Sequence, residues 1–318
     1  MSLTELIKNQ EYFKNLVQKR DENMLANAML FFCEDEKTNN ITLVLTALML
    51  EYKMFDLFNE ESAEFLKIQN GVDLDVRSYP KSGERLVVAD SNEIVDETFV
   101  RPLNLPYKIF VINGIDGATE EAQNKLLKVL EEPPKNVYFL LSAKSEERVL
   151  PTIKSRCDKI KIPPLGVSEI SKVTTDRFAM ILGNGYLGKT VELAKKENLR
   201  EIVNFGVELF TKLKSSKQVL PFSKVFFGFK DDVDLVLEVM SLVIEEILKI
   251  KCESESLCKL EMFKADLKDV EPEFSVEALC EISKLILHLR EKIEFNANLT
   301  VAIDNFLLKI LEVKYICK

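Results

Sequence analysis

Histidine is almost missing from this chain: His288 is the only one in 318 residues. Six cysteines are present (Cys33, Cys157, Cys252, Cys258, Cys280 and Cys317), but no two are spaced C-x-x-C. A structural zinc site draws four soft ligands from short paired spacings, and none can be assembled from this set. A disulfide framework is equally out of place in a mid-sized chain expected in the cytoplasm. The six are expected to be free thiols, packed as small apolar groups. No run approaches the ~20 uninterrupted apolar residues that a membrane span needs. The start, Met1-Ser2-Leu3-Thr4-Glu5, lacks a basic segment followed by an apolar one, so the chain is expected in the cytoplasm. A basic surplus is missing too. With 43 basic and 52 acidic side chains the net charge is −9, which disfavours a chain that grips DNA phosphates by itself.

What is present reads as globular: 47% of residues are hydrophobic and 30% charged, with length enough for two or three domains. Residues 1–162 alternate helical and strand patterns, as an α/β sheet with crossover helices does. Strands are expected over 28–32, 74–79, 109–112, 137–141 and 159–162. Helices are expected over 12–19, 41–52 and after Thr119, a good N-cap with Glu120 and Glu121 in the first turn. Pro80-Lys81-Ser82-Gly83 reads as a turn. Pro133-Pro134 stops the helix that Thr119 starts, because proline cannot donate the next backbone bond. Pro163-Pro164-Leu165 reads as a rigid connector. From 205 onward glycine is scarce and 3.6-residue periodicity is long, clearest over 233–250, 276–293 and 299–313. Three domains are expected: an α/β head (1–162), a small helical lid (163–204) and an all-helical C-terminal domain (205–318).

One stretch is more specific. Asn113-Gly114-Ile115-Asp116 is followed by Lys125-Leu126-Leu127-Lys128-Val129-Leu130-Glu131-Glu132-Pro133-Pro134, an apolar run 137–141, and Pro151-Thr152-Ile153-Lys154-Ser155-Arg156-Cys157. This order of strand, proline-stopped helix, strand and Ser-Arg-Cys resembles the clamp-loader ATPases of the AAA+ class. The resemblance implies a RecA-like head with a parallel sheet, a helical lid and a helical collar. It also implies a place in a hetero-oligomeric ring with motor (gamma/tau) and clamp-opening (delta) subunits. Such a ring loads a sliding clamp on primed DNA for the bacterial DNA polymerase III holoenzyme.

Against that pattern the nucleotide residues look dismantled. The family's phosphate loop is G-x-x-x-x-G-K-[ST], in which glycines free backbone N–H groups for the phosphates. The matching segment, Phe31-Phe32-Cys33-Glu34-Asp35-Glu36-Lys37-Thr38-Asn39-Asn40, has no glycine. Either Lys37-Thr38 or Asn39-Asn40 takes the Lys-[ST] place, and three carboxylates stand where polyphosphate should be received. The strand that should end Asp-Glu ends Asn113-Gly114, leaving no charge for magnesium and no group to orient water. Asp116 is a second acidic position of the family, insufficient alone. The interval 51–68 has no cysteine, so the four-cysteine zinc insertion of many relatives is not carried over. No catalytic residue in cis, no metal and no cofactor are expected.

Ser155-Arg156-Cys157 survives. In the family this arginine reaches the ATP site of a ring neighbour, where a planar, permanently charged guanidinium meets the γ-phosphate with two donors. The resemblance therefore implies a non-catalytic subunit that lends Arg156 in trans. An active motor subunit is the alternative, opposed by the glycine-free loop and Asn113-Gly114. The clamp-opening subunit is another, opposed by retention of both Glu-Glu-Pro-Pro and Ser-Arg-Cys.

Overall fold

The structure is a computed structural model, and it describes residues 2–81, 85–295 and 298–316. Cys317 and part of the expected 80–83 turn lie outside them. The chain forms two compact units, Met1–Asp176 with Gly183–Glu192, and Arg177–Leu182 with Leu193–Lys318. The elements run α1 (Leu3–Lys8), α2 (Glu11–Asp21), β1 (Ala28–Phe32), α3 (Glu36–Glu51), α4 (Ala63–Gln69), β2 (Val76–Tyr79), α5 (Val88–Glu97), β3 (Lys108–Ile112), α6 (Glu120–Glu131), β4 (Val137–Ala143), α7 (Pro151–Lys154) and β5 (Asp158–Lys161). Then follow α8 (Val167–Ile170), α9 (Arg177–Gly183), α10 (Leu187–Ala194), α11 (Leu199–Lys212), α12 (Val219–Gly228), α13 (Val233–Lys251), α14 (Lys264–Val270), α15 (Val276–Glu294) and α16 (Leu299–Ile316).

The expected α/β head is one parallel sheet in the order β2-β3-β4-β1-β5, with Leu30 of β1 level with Leu141 of β4 and Lys159 of β5. Parallel neighbours need crossover connections, and the helices that supply them cover both faces. Alternation puts Ala28, Leu30, Phe110, Ile112, Phe139 and Leu141 on one face, packed with Leu126, Val129 and Leu130 of α6. Phe110 stacks on Phe139 with centroids 5.4 Å apart. Met29, Phe31, Ile109, Val111 and Leu140 fall on the other face and are buried, as are Leu45 and Leu48 of α3. Thr119 caps α6 as expected, its hydroxyl accepting the Ala122 N–H, and the helix stops one residue short of Pro133-Pro134.

Two starts differ from expectation by more than one residue. β2 begins at Val76 rather than at 74, because the buried Asp75 carboxylate accepts the N–H groups of Leu103 (2.6 Å), Asn104 (2.6 Å) and Leu105 (2.9 Å). Helix α3 begins at Glu36 rather than at 41, with Asp35 as N-cap and Glu36 in the first turn, both favourable at a helix start.

The second unit is helical. Phe205 of α11 packs against Phe226 and Phe229, both with centroids 5.6 Å away. Phe210 reaches Phe274, and Phe226 reaches Phe306 of α16. Helix α11 runs without a break through positions 204 and 205.

Glu51 closes α3 at its C-terminal end, where a negative charge is unfavourable, and neither of its buried oxygens has a hydrogen-bond partner among the described residues. Burial, then the Asp73 and Asp75 carboxylates, push its pKa up to about 8. A raised carboxyl pKa means that the folded chain holds a proton the unfolded chain releases. Stability therefore falls as pH rises from the ordinary value towards 8 and stays lower above it. Glu51→Gln should remove that slope and gain on the order of 1–3 kcal/mol at alkaline pH, with little gain near pH 5. Denaturant unfolding at both pH values checks this; equal gains at the two would sink it.

Candidate functional site

The nucleotide-site residues singled out from the sequence gather at the carboxyl ends of β1, β3 and β4, where open α/β sheets bind ligands, whereas Ser155-Arg156-Cys157 lies apart from them between α7 and β5. Because α3 starts at Glu36, only Cys33, Glu34 and Asp35 separate it from β1. That is too short an excursion for backbone N–H groups to wrap a phosphate. Asp35 Oδ2 instead accepts the Thr38 N–H at 3.3 Å and the Thr38 hydroxyl. Thr38 is thereby buried and used internally. Lys37 pairs with Glu192 at 3.4 Å, and Glu36 pairs with Lys144 at 2.6 Å. Asn39 is buried and donates to the Cys33 carbonyl at 2.8 Å and the Ala143 carbonyl at 3.4 Å, tying α3 to the ends of β1 and β4. The Oδ1 atoms of Asn39 and Asn40 are buried without hydrogen-bond partners among the described residues.

At the end of β3 the Asn113 N–H donates to the Tyr79 carbonyl at 2.9 Å, and its Oδ1 is buried without a hydrogen-bond partner among the described residues. Gly114 is left-handed (φ 63°, ψ 48°), which only glycine adopts at no steric cost. Its N–H donates to Ser142 Oγ at 3.1 Å, so that hydroxyl serves the strand ends. Asp116 Oδ2 accepts the N–H groups of Lys144 (3.2 Å) and Ser145 (3.1 Å), fixing the turn after β4. Among the described residues no cluster of three or more His, Cys, Asp or Glu side chains is arranged to hold a metal ion.

A cavity beside α3, lined by Ile7, Gln10, Tyr12, Cys33, Thr38 and Tyr186 among others, has a volume of about 10 Å³. That is room for roughly one water, whereas small-molecule pockets run to roughly 300–1,000 Å³. Larger grooves lie elsewhere, about 490 Å³ along α2 and β5 and about 430 Å³ beside α11 and α14. With no glycine cradle, an internal carboxylate and a cavity with room for about one water, these residues do not fit a magnesium nucleotide.

Ser155-Arg156-Cys157 follows α7. Ser155 Oγ donates to the Thr152 carbonyl at 3.0 Å. The Arg156 side chain is 26% accessible. Its Nε and Nη2 donate to Glu131 Oε2 at 3.1 and 2.7 Å, and Nη1 donates to the Thr152 carbonyl at 3.0 Å. Three of its five donors are engaged within the chain. Burial pushes the Cys157 thiol up to about 12, so it is an unreactive apolar neighbour of the sheet core. The partnership of Glu131 with Arg156 and the cap of Asp35 on α3 are two features the sequence reading missed. Asp35 followed by Glu36 in the first turn was a legible helix-start signal; the Glu131 contact has no local signature.

The family described as DNA polymerase III, delta subunit, matches residues 8–166. The DNA polymerase III subunit delta' of Bacillus subtilis is 22% identical over 262 residues, covering 77% of this chain and 78% of that protein. The DNA polymerase III subunit gamma of Buchnera aphidicola is 32% identical over 106 residues, 33% of this chain and only 29% of that protein. A DNA polymerase III gamma subunit-related protein of Thermotoga maritima, of known structure, covers 93% of this chain and 98% of its own at 20% identity, with a TM-score of 0.49.

Proposed function

As the chain belongs to the clamp-loader subunit family of DNA polymerase III, we propose that it is the non-catalytic, delta-prime-type subunit of a clamp-loading ring. In this reading it binds no nucleotide, metal or other cofactor of its own. Residues 1–162 act as head, 163–204 as lid and 205–318 as the segment through which it joins its motor (gamma/tau) and delta partners. Arg156 is lent to a neighbour's ATP as an arginine finger, and the assembled ring loads a sliding clamp on primed DNA. No described helix is long and apolar enough to cross a membrane; we place the chain in the cytoplasm with the replication machinery.

The observation that carries this reading is the start of α3, where the Asp35 carboxylate holds the N–H and hydroxyl of Thr38, which in the Lys37-Thr38 register a nucleotide and its metal would need. An ATPase motor role has support from the local identity to gamma. The same α3 start weighs against it.

Calorimetric titration of the isolated chain with Mg-ATP should give no measurable heat of binding; micromolar affinity would sink the reading. Gly114→Glu should restore neither binding nor turnover. The phosphate cradle would still be missing, and a side chain at φ 63° is strained by roughly 1–2 kcal/mol.

A further inference from the structure

Two helix starts converge on one oxygen. Asp35 Oδ2, besides capping α3, accepts the N–H of Gly188 at 2.7 Å, across 153 positions of sequence. Gly188 is the second residue of α10, and its N–H also lies 3.3 Å from Thr38 Oγ1. The first N–H groups of a helix have no partner in their own helix and carry a partial positive charge, roughly half an elementary charge per terminus. An ordinary N-cap serves one such end. Here a full negative charge sits between two.

The approach is close enough to require glycine. A Cβ at Gly188 would lie 2.4 Å from Lys37 Cβ and 2.6 Å from Asp35 Oδ2. Neighbouring bonds hold the same arrangement, with the Leu165 N–H donating to the Gly185 carbonyl at 2.8 Å and Lys37 pairing with Glu192 on α10. The cavity next to this junction is filled to about 10 Å³.

We propose that Asp35 is an internal substitute for a bound phosphate: its carboxylate takes the anion position at the start of α3 and straps the start of α10 to it without any ligand. A nucleotide-binding chain would have to gain this junction on binding and lose it on release. This chain keeps it throughout its working cycle. The inference rests on the reading that the chain binds no nucleotide, and it adds the residue that replaces the ligand.

Hydrogen exchange on the full chain separates the strap from a simple cap. Asp35→Ser keeps a good N-cap for α3 but is too short to reach Gly188. The 36–45 segment should stay as protected as in wild type, while 187–192 exchanges about tenfold faster or more. Gly188→Ala should loosen 187–192 as well, because its Cβ cannot fit. Asp35→Asn, which keeps the length and loses the charge, should fall between wild type and Asp35→Ser. Wild-type protection of 187–192 in Asp35→Ser would overturn the strap, and wild-type protection in Asp35→Asn would overturn the role of the charge. Mg-ATP titration of the unmutated chain reads the underlying function separately. Binding there would overturn the non-nucleotide reading, whereas unchanged exchange with no binding would overturn the strap alone.

Discussion

In the proposed finger role, Arg156→Ala should lower ATP turnover by about 10³–10⁵-fold at the one site this subunit would face in the reconstituted ring, with folding and assembly nearly unchanged. The comparison of magnitudes is what makes the residue usable. To reach a neighbour, Arg156 must leave Glu131, a pair in which the carboxylate side chain is 59% accessible. Partly exposed pairs of this kind contribute about 0.2–1 kcal/mol, whereas a finger's rate effect corresponds to roughly 4–7 kcal/mol of transition-state stabilisation. Release is therefore cheap against what is gained when charge develops on the γ-phosphate. Arg156→Lys should recover only part of the rate, since an ammonium keeps the charge and loses the planar fork. In a ring with several motor subunits, the whole-ring rate should fall less than the rate at one site. Steady-state ATPase with clamp and primed DNA is the measurement, and a variant ring as fast as wild type at equal assembly would reduce Ser155-Arg156-Cys157 to a turn.

The three central strands were legible because they are short apolar runs buried on both faces, and 109–112 and 137–141 reappear as β3 and β4. Helix α6 was legible from Thr119 at one end and Pro133-Pro134 at the other, and α13, α15 and α16 from sustained periodicity. The absence of glycine from 31–40 and of a carboxylate at 113–114 is visible without a structure. What failed depended on where side chains turn. Glu34, Asp35 and Glu36 read as a repulsive loop, yet Asp35 faces inward as a cap and Glu36 opens the helix. Asp75 reads as part of a strand, but its carboxylate gathers three backbone N–H groups from 103–105. The contacts Asp35–Gly188 and Glu131–Arg156 join positions 153 and 25 apart, and no local pattern announces either.

Glu246→Ala should cost about 3 kcal/mol or more, felt in the helices of the second unit. Glu246 lies on α13 and is wholly buried. Its Oε2 accepts the Leu260 N–H at 2.8 Å, and its Oε1 meets Lys249 Nζ at 2.9 Å. Leu260 belongs to the core of that unit, so the carboxylate pins the chain after α13 onto the helix it has just left. Alanine would leave a buried N–H without a partner, about 1–3 kcal/mol by itself, and add a void where the side chain stood. Lys249 would be less exposed to harm, because Glu245 stays 2.7 Å away. That retained partner places the loss at the low end for a broken buried ion pair. Glu246→Gln keeps an acceptor for Leu260 and gives up only the charge, so its cost should be smaller, about 1 kcal/mol. The amide of Leu260 should exchange faster in the alanine variant and stay protected in the glutamine one. Because residues 205–318 are the proposed means of joining the ring, Glu246→Ala should also weaken co-elution with the motor and delta subunits, which Arg156→Ala leaves intact. Equal denaturation midpoints for wild type and Glu246→Ala would show that this carboxylate holds nothing together.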